Sequence, residues 1–130
     1  MKTNSIVLDA SAILAIINRE PGHEKLTVEM LAGAVASTVN LAEVQAKLVG
    51  RGWQPEEAWE DATSAILRAL PFDEQQARIS GDLIMQTRSL GLSLGDRACL
   101  TLGIVLGAPV YTAEALWQKL KLDIDVRVIR

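Results

Sequence analysis

Short apolar runs alternate with longer amphipathic segments along this chain of 130 residues. The runs Ile6–Leu8, Ala34–Ser37 and Val110–Thr112 are too short for helices and consist mainly of small or aliphatic residues, which is typical of strands buried on both faces. A last run, residues 124–129, includes Arg127, and we predict it as a strand at the edge of the sheet. The apolar pattern therefore predicts four strands.

Helices are predicted between these strands from the spacing of apolar residues and from capping residues. They cover residues 10–18, 24–31, 38–48, 55–70, 73–89, 98–106 and 113–120. Asp73 with Gln76, and Ser93 with Asp96, have the spacing of capping boxes. Strands that alternate with helices predict an α/β fold, a three-layer α/β/α sandwich around a mainly parallel sheet, with residues 1–130 as a single domain.

The composition argues for a protein outside the membrane. Hydrophobic residues make up 49% of the chain, but the longest weakly polar stretch, residues 98–113, contains glycines and a proline. It is also shorter than the roughly 18 to 20 residues that a membrane span needs. Residues 1–5 lead directly into the first strand, so we predict no signal peptide and a cytoplasmic protein.

A single cysteine and a single histidine limit the chemistry that the chain can perform. Cys99 lies in an apolar segment and is interpreted as a small core residue, since one cysteine cannot form an internal disulfide. His23 lies in a polar segment and has no second His or Cys with which to bind zinc. These two residues argue against a zinc site and against Ser-His or Cys-His catalysis.

Four acidic residues follow predicted strands or lie near the starts of predicted helices: Asp9, Glu43, Asp96 and Glu114. Because the carboxyl ends of parallel strands meet at one edge of a sheet, we expect these side chains to lie together. Each acid also has an ordinary structural interpretation. These are an N-cap for Asp9, a capping-box residue for Asp96, a helix-dipole partner for Glu114 and a surface acid for Glu43.

Taken together, the four acids predict a cation site, because clustered carboxylates repel one another. Oxygen ligands without His or Cys favour Mg²⁺ or Mn²⁺, and such ions often complete their shell with phosphate oxygens. The net charge of -3 by itself argues against binding of nucleic acid. If a cation neutralises the four carboxylates, the rest of the chain carries +1 and retains 13 Lys and Arg residues for phosphates.

Four segments, in order, resemble the sequence blocks of the PIN-domain nucleases. They are residues 7–12 (VLDASA), 37–44 (STVNLAEV), 92–98 (LSLGDRA) and 110–114 (VYTAE). With this length and order, the chain is similar to the VapC-type toxins of bacterial toxin-antitoxin pairs. The resemblance implies a Mg²⁺-dependent endoribonuclease that hydrolyses RNA phosphodiester bonds. It also implies a homodimer, and a cognate antitoxin protein that inserts a segment against the acidic site.

The resemblance assigns roles to single residues as well. It implies that Asp9, Glu43 and Asp96 bind the metal, that Ser11 and Thr112 support the site, and that Asn40 orients Glu43. The fourth acid is usually Asp in this family, whereas this chain has Glu114. The longer side chain must fold back to reach a metal or bind it through a water, which Mg²⁺ tolerates.

Two tryptophans, Trp53 and Trp59, lie on either side of the predicted turn at residues 54–55. Large aromatic residues at the tip of a helical hairpin are common binding anchors, so we predict that they line a groove for the antitoxin or for the second protomer. The alternative is that they pack between the two helices as a local core.

Two other classes of protein fit part of the pattern. A phosphoacceptor receiver domain also places acids and Mg²⁺ at strand ends, but it needs adjacent acids near the first strand and a Lys near the last, and neither is recognisable here. A non-catalytic binding module with the same fold, acting only by assembly with a partner, is the other alternative. The departure at Glu114 keeps that alternative open.

Overall fold

The computed structural model describes residues 4–130. Residues 1–3, which belong to the segment predicted to hold no signal peptide, lie outside the described residues. The strands are β1 Ile6–Leu8, β2 Ala34–Ser37, β3 Arg68–Leu70, β4 Val110–Thr112 and β5 Val126–Val128. The α-helices are α1 Ala10–Asn18, α2 Val28–Leu31, α3 Thr38–Gly50, α4 Pro55–Ser64, α5 Glu74–Asp82, α6 Ile84–Thr87 and α7 Leu94–Leu106.

The five strands form one parallel sheet in the order β3-β2-β1-β4-β5. β1 is central, and Val7 lies opposite Val35 of β2 and Val110 of β4. The last strand is at an edge, as its mixed polarity predicts. Because every strand pairs in parallel, the carboxyl ends of β1 and β4 lie at the same edge of the sheet.

Helices cover both faces of the sheet, which confirms the predicted three-layer α/β/α sandwich. Ile6 and Leu8 belong to a core formed with α1, α3 and α4, whereas Val7 belongs to a second core formed with α7 and Trp117. This alternation follows from the two-residue period of a strand. Full burial of a large aliphatic side chain such as Leu8 contributes about 1.5–3 kcal/mol, so both cores stabilise the short central strand.

The predicted helix over residues 55–70 is wrong in its second half. α4 ends at Ser64, and the chain then enters the sheet as β3. The backbone N–H of Leu67 donates to the carbonyl oxygen of Ala34 at 2.7 Å, and β3 continues parallel to β2. Pairing with an existing strand therefore outweighs a helical spacing of apolar residues, which is a local signal only.

Other predicted helices differ in length or type. The 24–31 segment forms a 3₁₀ turn at His23–Lys25 followed by α2. The 73–89 segment divides into α5, α6 and a 3₁₀ turn at Arg88–Leu90. The 113–120 segment is a 3₁₀ helix at Ala115–Lys119. α7 begins at Leu94, earlier than predicted. Apolar spacing does not locate such breaks, because one 3₁₀ turn and one α turn place apolar residues at similar intervals. No helix within residues 4–130 combines the length and the hydropathy needed to cross a lipid bilayer.

Candidate active site at the carboxyl edge of the sheet

Asp9 lies directly after the central strand and begins α1. Its Oδ1 accepts a hydrogen bond from the backbone N–H of Ala12 at 2.8 Å, so the interpretation of Asp9 as an N-cap is correct. The residue is only 2% exposed, however, which is unusual for a cap. A buried carboxylate at the carboxyl end of a central strand has both a structural role and the position of a functional group.

Hydroxyl groups from two elements surround the Asp9 carboxylate. The Ser11 hydroxyl lies 2.8 and 2.9 Å from its two oxygens, and the Thr112 hydroxyl donates to Oδ2 at 2.6 Å. Ser11 Oγ accepts from the N–H of Ala113, and Thr112 Oγ1 accepts from the N–H of Glu114. This network joins β1 to β4 and fixes the orientation of the carboxylate.

Burial raises the pKa of Asp9 from 3.8 to about 6. The hydrogen bonds from Thr112, Ala12 and Ser11 lower this pKa and offset part of the effect, while the nearby Asp96 raises it. Within residues 4–130, Asp9 forms no ion pair. A charged Asp9 is therefore costly to the protein alone, and a bound cation would remove that cost.

Asp96 is held in the first turn of α7 by a complete capping box, as its spacing from Ser93 predicts. Its Oδ2 accepts from the Ser93 N–H at 2.9 Å, and the Ser93 hydroxyl accepts from the Asp96 N–H at 3.2 Å. Asp96 is half-buried. The cap fixes the start of α7 next to β1 and thereby places a second carboxylate near Asp9.

Glu43 is held on α3 by Asn40, which is 1% exposed. The Asn40 amide donates to Glu43 Oε1 at 3.0 Å and to the carbonyl oxygen of Gly95 at 3.0 Å, so it links α3 to the start of α7. Gly95 lies directly against the Glu43 carboxylate, and a Cβ atom at that position would collide with it. Gly95 was not predicted as a site residue, although a glycine between the two residues of a predicted capping box signals a close approach.

Cys99 lies within electrostatic range of three of the acids. It is buried on α7, as predicted. Burial raises the pKa of its thiol well above the usual range, and the charges of Asp9, Asp96 and Glu43 raise it further. Three elements therefore bring their carboxylates to one region around the end of β1.

Glu114 is placed differently from the other three acids. It is exposed, and it precedes a 3₁₀ helix rather than the predicted α-helix. Its backbone N–H donates to Thr112 Oγ1, which in turn donates to Asp9. Glu114 thus lies next to the Asp9 network through its backbone, and its carboxylate stays at the solvent side.

The donors of this site suit a hard cation, since all of them are oxygen atoms. As the side chains stand, no three acidic residues within residues 4–130 surround a common point that suits one ion. Asp96 Oδ2 accepts from the N–H of Ser93, and Glu43 Oε1 accepts from Asn40, so these bonds set the orientation of both carboxylates.

The two tryptophans differ in how far their side chains are buried. They lie at the hairpin of α3 and α4, as predicted, but Trp53 is half-buried and packs against the first core. Trp59 is 48% exposed. Trp53 therefore fits the local-core alternative better, and Trp59 is the more exposed of the two.

Without a cation, the stability of the protein is expected to depend on pH through Asp9. Its pKa is raised in the folded state, so the penalty is absent below about pH 4, grows between about pH 4 and 6, and is complete above that range. A shift of this size corresponds to about 3 kcal/mol. Urea unfolding in EDTA should show that wild type loses about this amount between pH 4 and 7 relative to Asp9→Asn. A difference between the two proteins that does not change with pH would contradict this expectation.

The chain is similar in sequence to one protein family and in fold to several solved structures. A sequence model of the PIN domain matches residues 6–121. No curated protein matches the chain significantly. Among solved structures, the chain is similar to DNA-bound VapBC from Salmonella typhimurium, with a TM-score of 0.75 and 16% identity, covering 97% of this chain and 98% of that chain.

Two further structures show the same fold. One is VapBC2 from Rickettsia felis bound to a promoter DNA fragment, with a TM-score of 0.73, 17% identity, and coverage of 95% of this chain and 97% of that chain. The other is VapC20 from Mycobacterium tuberculosis, a sarcin-ricin loop cleaving toxin, with a TM-score of 0.73, 17% identity, and coverage of 88% and 94%. At identities this low, the structural similarity shows a shared fold alone.

Proposed function

This chain belongs to the PIN domain family, and on that premise we propose that it is a Mg²⁺-dependent endoribonuclease, the toxin of a type II toxin-antitoxin pair. The observation that carries the proposal is the approach of Asp9, Glu43 and Asp96 from three different elements to the carboxyl end of the central strand. Helix capping explains Asp9 and Asp96 singly, but it does not explain why β1, α3 and α7 bring three mutually repelling carboxylates to one region.

The proposed ligands of the ion are Asp9, Glu43 and Asp96, with Glu114 acting through a water. Mg²⁺ suits such a site because it binds few carboxylates and keeps several waters, and Mn²⁺ accepts the same donors. When bound, the ion lowers the pKa of a water and offsets the negative charge that develops at the phosphate.

The protein side chains position the reacting groups. Ser11 and Thr112 hold the Asp9 carboxylate in one orientation through short hydrogen bonds, and Asn40 does the same for Glu43. In the reaction, the oxygen of a water forms a bond to phosphorus, the bond from phosphorus to a bridging sugar oxygen breaks, and the leaving oxygen takes a proton. Glu43 and Glu114 are the two candidates for accepting the proton of the attacking water.

The test of this proposal is cleavage of a mixed-sequence RNA by the purified chain, with Mg²⁺, with Mn²⁺ and with EDTA. Cleavage is expected with either metal and none with EDTA. A folded chain that cleaves no RNA under any of these conditions, but still binds a protein partner, would instead be a PIN-fold binding module. A search for cleaved RNAs in cells that express the chain extends the test to substrates that the mixed pool does not contain.

The proposed protein partner is a cognate antitoxin. The support is that the neighbouring structures from Salmonella typhimurium and Rickettsia felis are VapBC complexes. We also propose that the chain forms a homodimer, as the family resemblance implies. Trp59 is the proposed anchor on this chain, because it is the more exposed of the two hairpin tryptophans.

Trp59→Ala is expected to weaken association with the antitoxin by about 30-fold or more, because exposed tryptophans that become buried at an interface often contribute about 2 kcal/mol or more. Circular dichroism and the unfolding midpoint should stay close to wild type. Isothermal titration of each variant with the antitoxin measures the effect. Met85→Ala, at another exposed apolar residue on α6, serves as the matched control and should bind normally. Equal losses in both variants, or a loss of folding in Trp59→Ala, would contradict a specific role for Trp59.

A further inference from the structure

Gly95 is buried in the first turn of α7, immediately before Asp96. Its backbone is α-helical, in contrast to glycines such as Gly91 and Gly107, whose φ angles are positive. A helical backbone does not require glycine, and alanine at such a position is more favourable for the helix. The reason for a glycine at this position must therefore lie in its contacts.

The contact that excludes a side chain at position 95 is with Glu43. A Cβ atom added to Gly95 would overlap both carboxylate oxygens of Glu43 and the carbon between them. The nearest atoms to this Cβ position all belong to the Glu43 side chain, and none belongs to the backbone. The Glu43 carboxylate therefore occupies the volume that any other residue at position 95 would fill.

Hydrogen bonds join the same two residues through Asn40. Its Nδ2 donates to Glu43 Oε1 and to the carbonyl oxygen of Gly95, both at 3.0 Å. Asn40 is 1% exposed, so its position on α3 is fixed by the surrounding protein. Because Asp96 follows Gly95 in the chain, the close approach of α3 and α7 at this point also determines how Glu43 lies relative to Asp96.

We propose that Gly95 is a positioning residue of the acidic site, and that it acts through Glu43; this inference rests on the proposed function. A methyl group at position 95 displaces the Glu43 carboxylate and leaves α7 in place. The carboxylate is the free end of a flexible side chain, whereas the start of α7 is held by the capping box of Ser93 and Asp96. The displaced carboxylate then loses its place beside Asp96, although the chain still folds.

The first measurement compares the folding of Gly95→Ala and Gly81→Ala in EDTA. Gly81 lies in α5, and an added Cβ there would meet no other atom within 4 Å, so this variant is the matched control for helix propensity. Gly81→Ala should raise the melting temperature by up to about 3 °C. Gly95→Ala should have the circular dichroism of wild type and a melting temperature within a few degrees of it. Failure of Gly95→Ala to fold would indicate a packing role and would overturn the proposal.

The second measurement is a titration with Mn²⁺, followed by electron paramagnetic resonance of the free ion. Gly95→Ala is expected to bind Mn²⁺ about 10-fold more weakly than wild type, which is typical of losing a group that positions a metal ligand. Gly81→Ala should bind normally. In a Glu43→Ala background, adding Gly95→Ala should change the Mn²⁺ affinity less than about 2-fold, because the residue through which Gly95 acts is already absent.

The outcomes separate this inference from the proposed function. Normal Mn²⁺ binding by Gly95→Ala, or an undiminished loss in the Glu43→Ala background, would overturn the role of Gly95 and leave the proposed nuclease intact. A wild-type chain that binds Mn²⁺ but cleaves no RNA would contradict the nuclease, while the Mn²⁺ titrations still decide the role of Gly95. A wild-type chain that binds no Mn²⁺ would overturn both.

Discussion

RNA cleavage is expected to fall by more than about 100-fold when Asp96 is replaced by Asn, and by a similar factor in Asp9→Asn, since loss of a direct metal ligand should exceed the 10- to 100-fold cost of losing an outer partner. Asn keeps the shape of Asp and an oxygen that accepts hydrogen bonds. In Asp96→Asn this oxygen still accepts from the Ser93 N–H, so α7 retains its cap. The loss is therefore one of charge and metal affinity, with the fold preserved.

Asp73→Asn provides the matched control for both variants. Asp73 is an N-cap as well, since it accepts from the Gln76 N–H at 2.9 Å, but it lies at the start of α5 beyond the edge strand β3. Its replacement should leave RNA cleavage unchanged. Initial cleavage rates at saturating Mg²⁺, together with the Mg²⁺-induced shift of the melting temperature, measure the effects. Normal cleavage by Asp9→Asn and Asp96→Asn would show that both residues act only as helix caps. It would contradict the proposed metal site.

Glu114→Gln is expected to lower RNA cleavage by about 10- to 100-fold at low Mg²⁺ and to recover much of the activity as the Mg²⁺ concentration rises, because an outer partner acts on metal affinity. Glu114→Asp should retain activity near or above that of wild type, since it restores the residue that is usual in this family. The exposed position of Glu114 supports a contact through water rather than a direct bond.

Glu74→Gln is the matched control for Glu114→Gln, because Glu74 is also an acid in the first turn of a helix. The alternative role, stabilisation of a helix dipole, is worth about 0.3–1 kcal/mol and leaves chemistry unchanged. It is weak for Glu114 in particular, because only the five-residue 3₁₀ helix follows it. Titration of cleavage rate against Mg²⁺ decides between the two roles. A Mg²⁺ requirement of Glu114→Gln equal to that of wild type would exclude the outer-ligand role.

The parts of the fold that were predicted correctly have a strong local cause. β1 and α1 have the predicted bounds because an aliphatic triplet, a capping Asp and an apolar helix follow one another without interruption. The capping box of Ser93 and Asp96 also formed, since it needs only residues three apart. β3 was missed because Arg68–Leu70 has little strand propensity of its own and joins the sheet only by pairing with β2.

The acidic site also combines features that were predicted from the sequence with features that were not. The order of strands and helices was enough to expect four acids, Asp9, Glu43, Asp96 and Glu114, at one edge. The structure brings the first three to one region and leaves the side chain of Glu114 exposed. The sequence did not reveal that Gly95 makes room for the Glu43 carboxylate, since this contact joins α3 to α7 across 52 residues of chain. Nor did it separate Trp53, packed on the core, from the exposed Trp59.

The sequence by itself determined the fold class and the carboxyl-edge position of Asp9, because periodicity and capping are properties of neighbouring residues. Only the tertiary structure decided how far each acid is buried and which side chains hold it. These features depend on contacts between segments distant in the chain. Burial and electrostatic interactions are set by such contacts, so they become defined only when the sheet and its two helical layers have assembled.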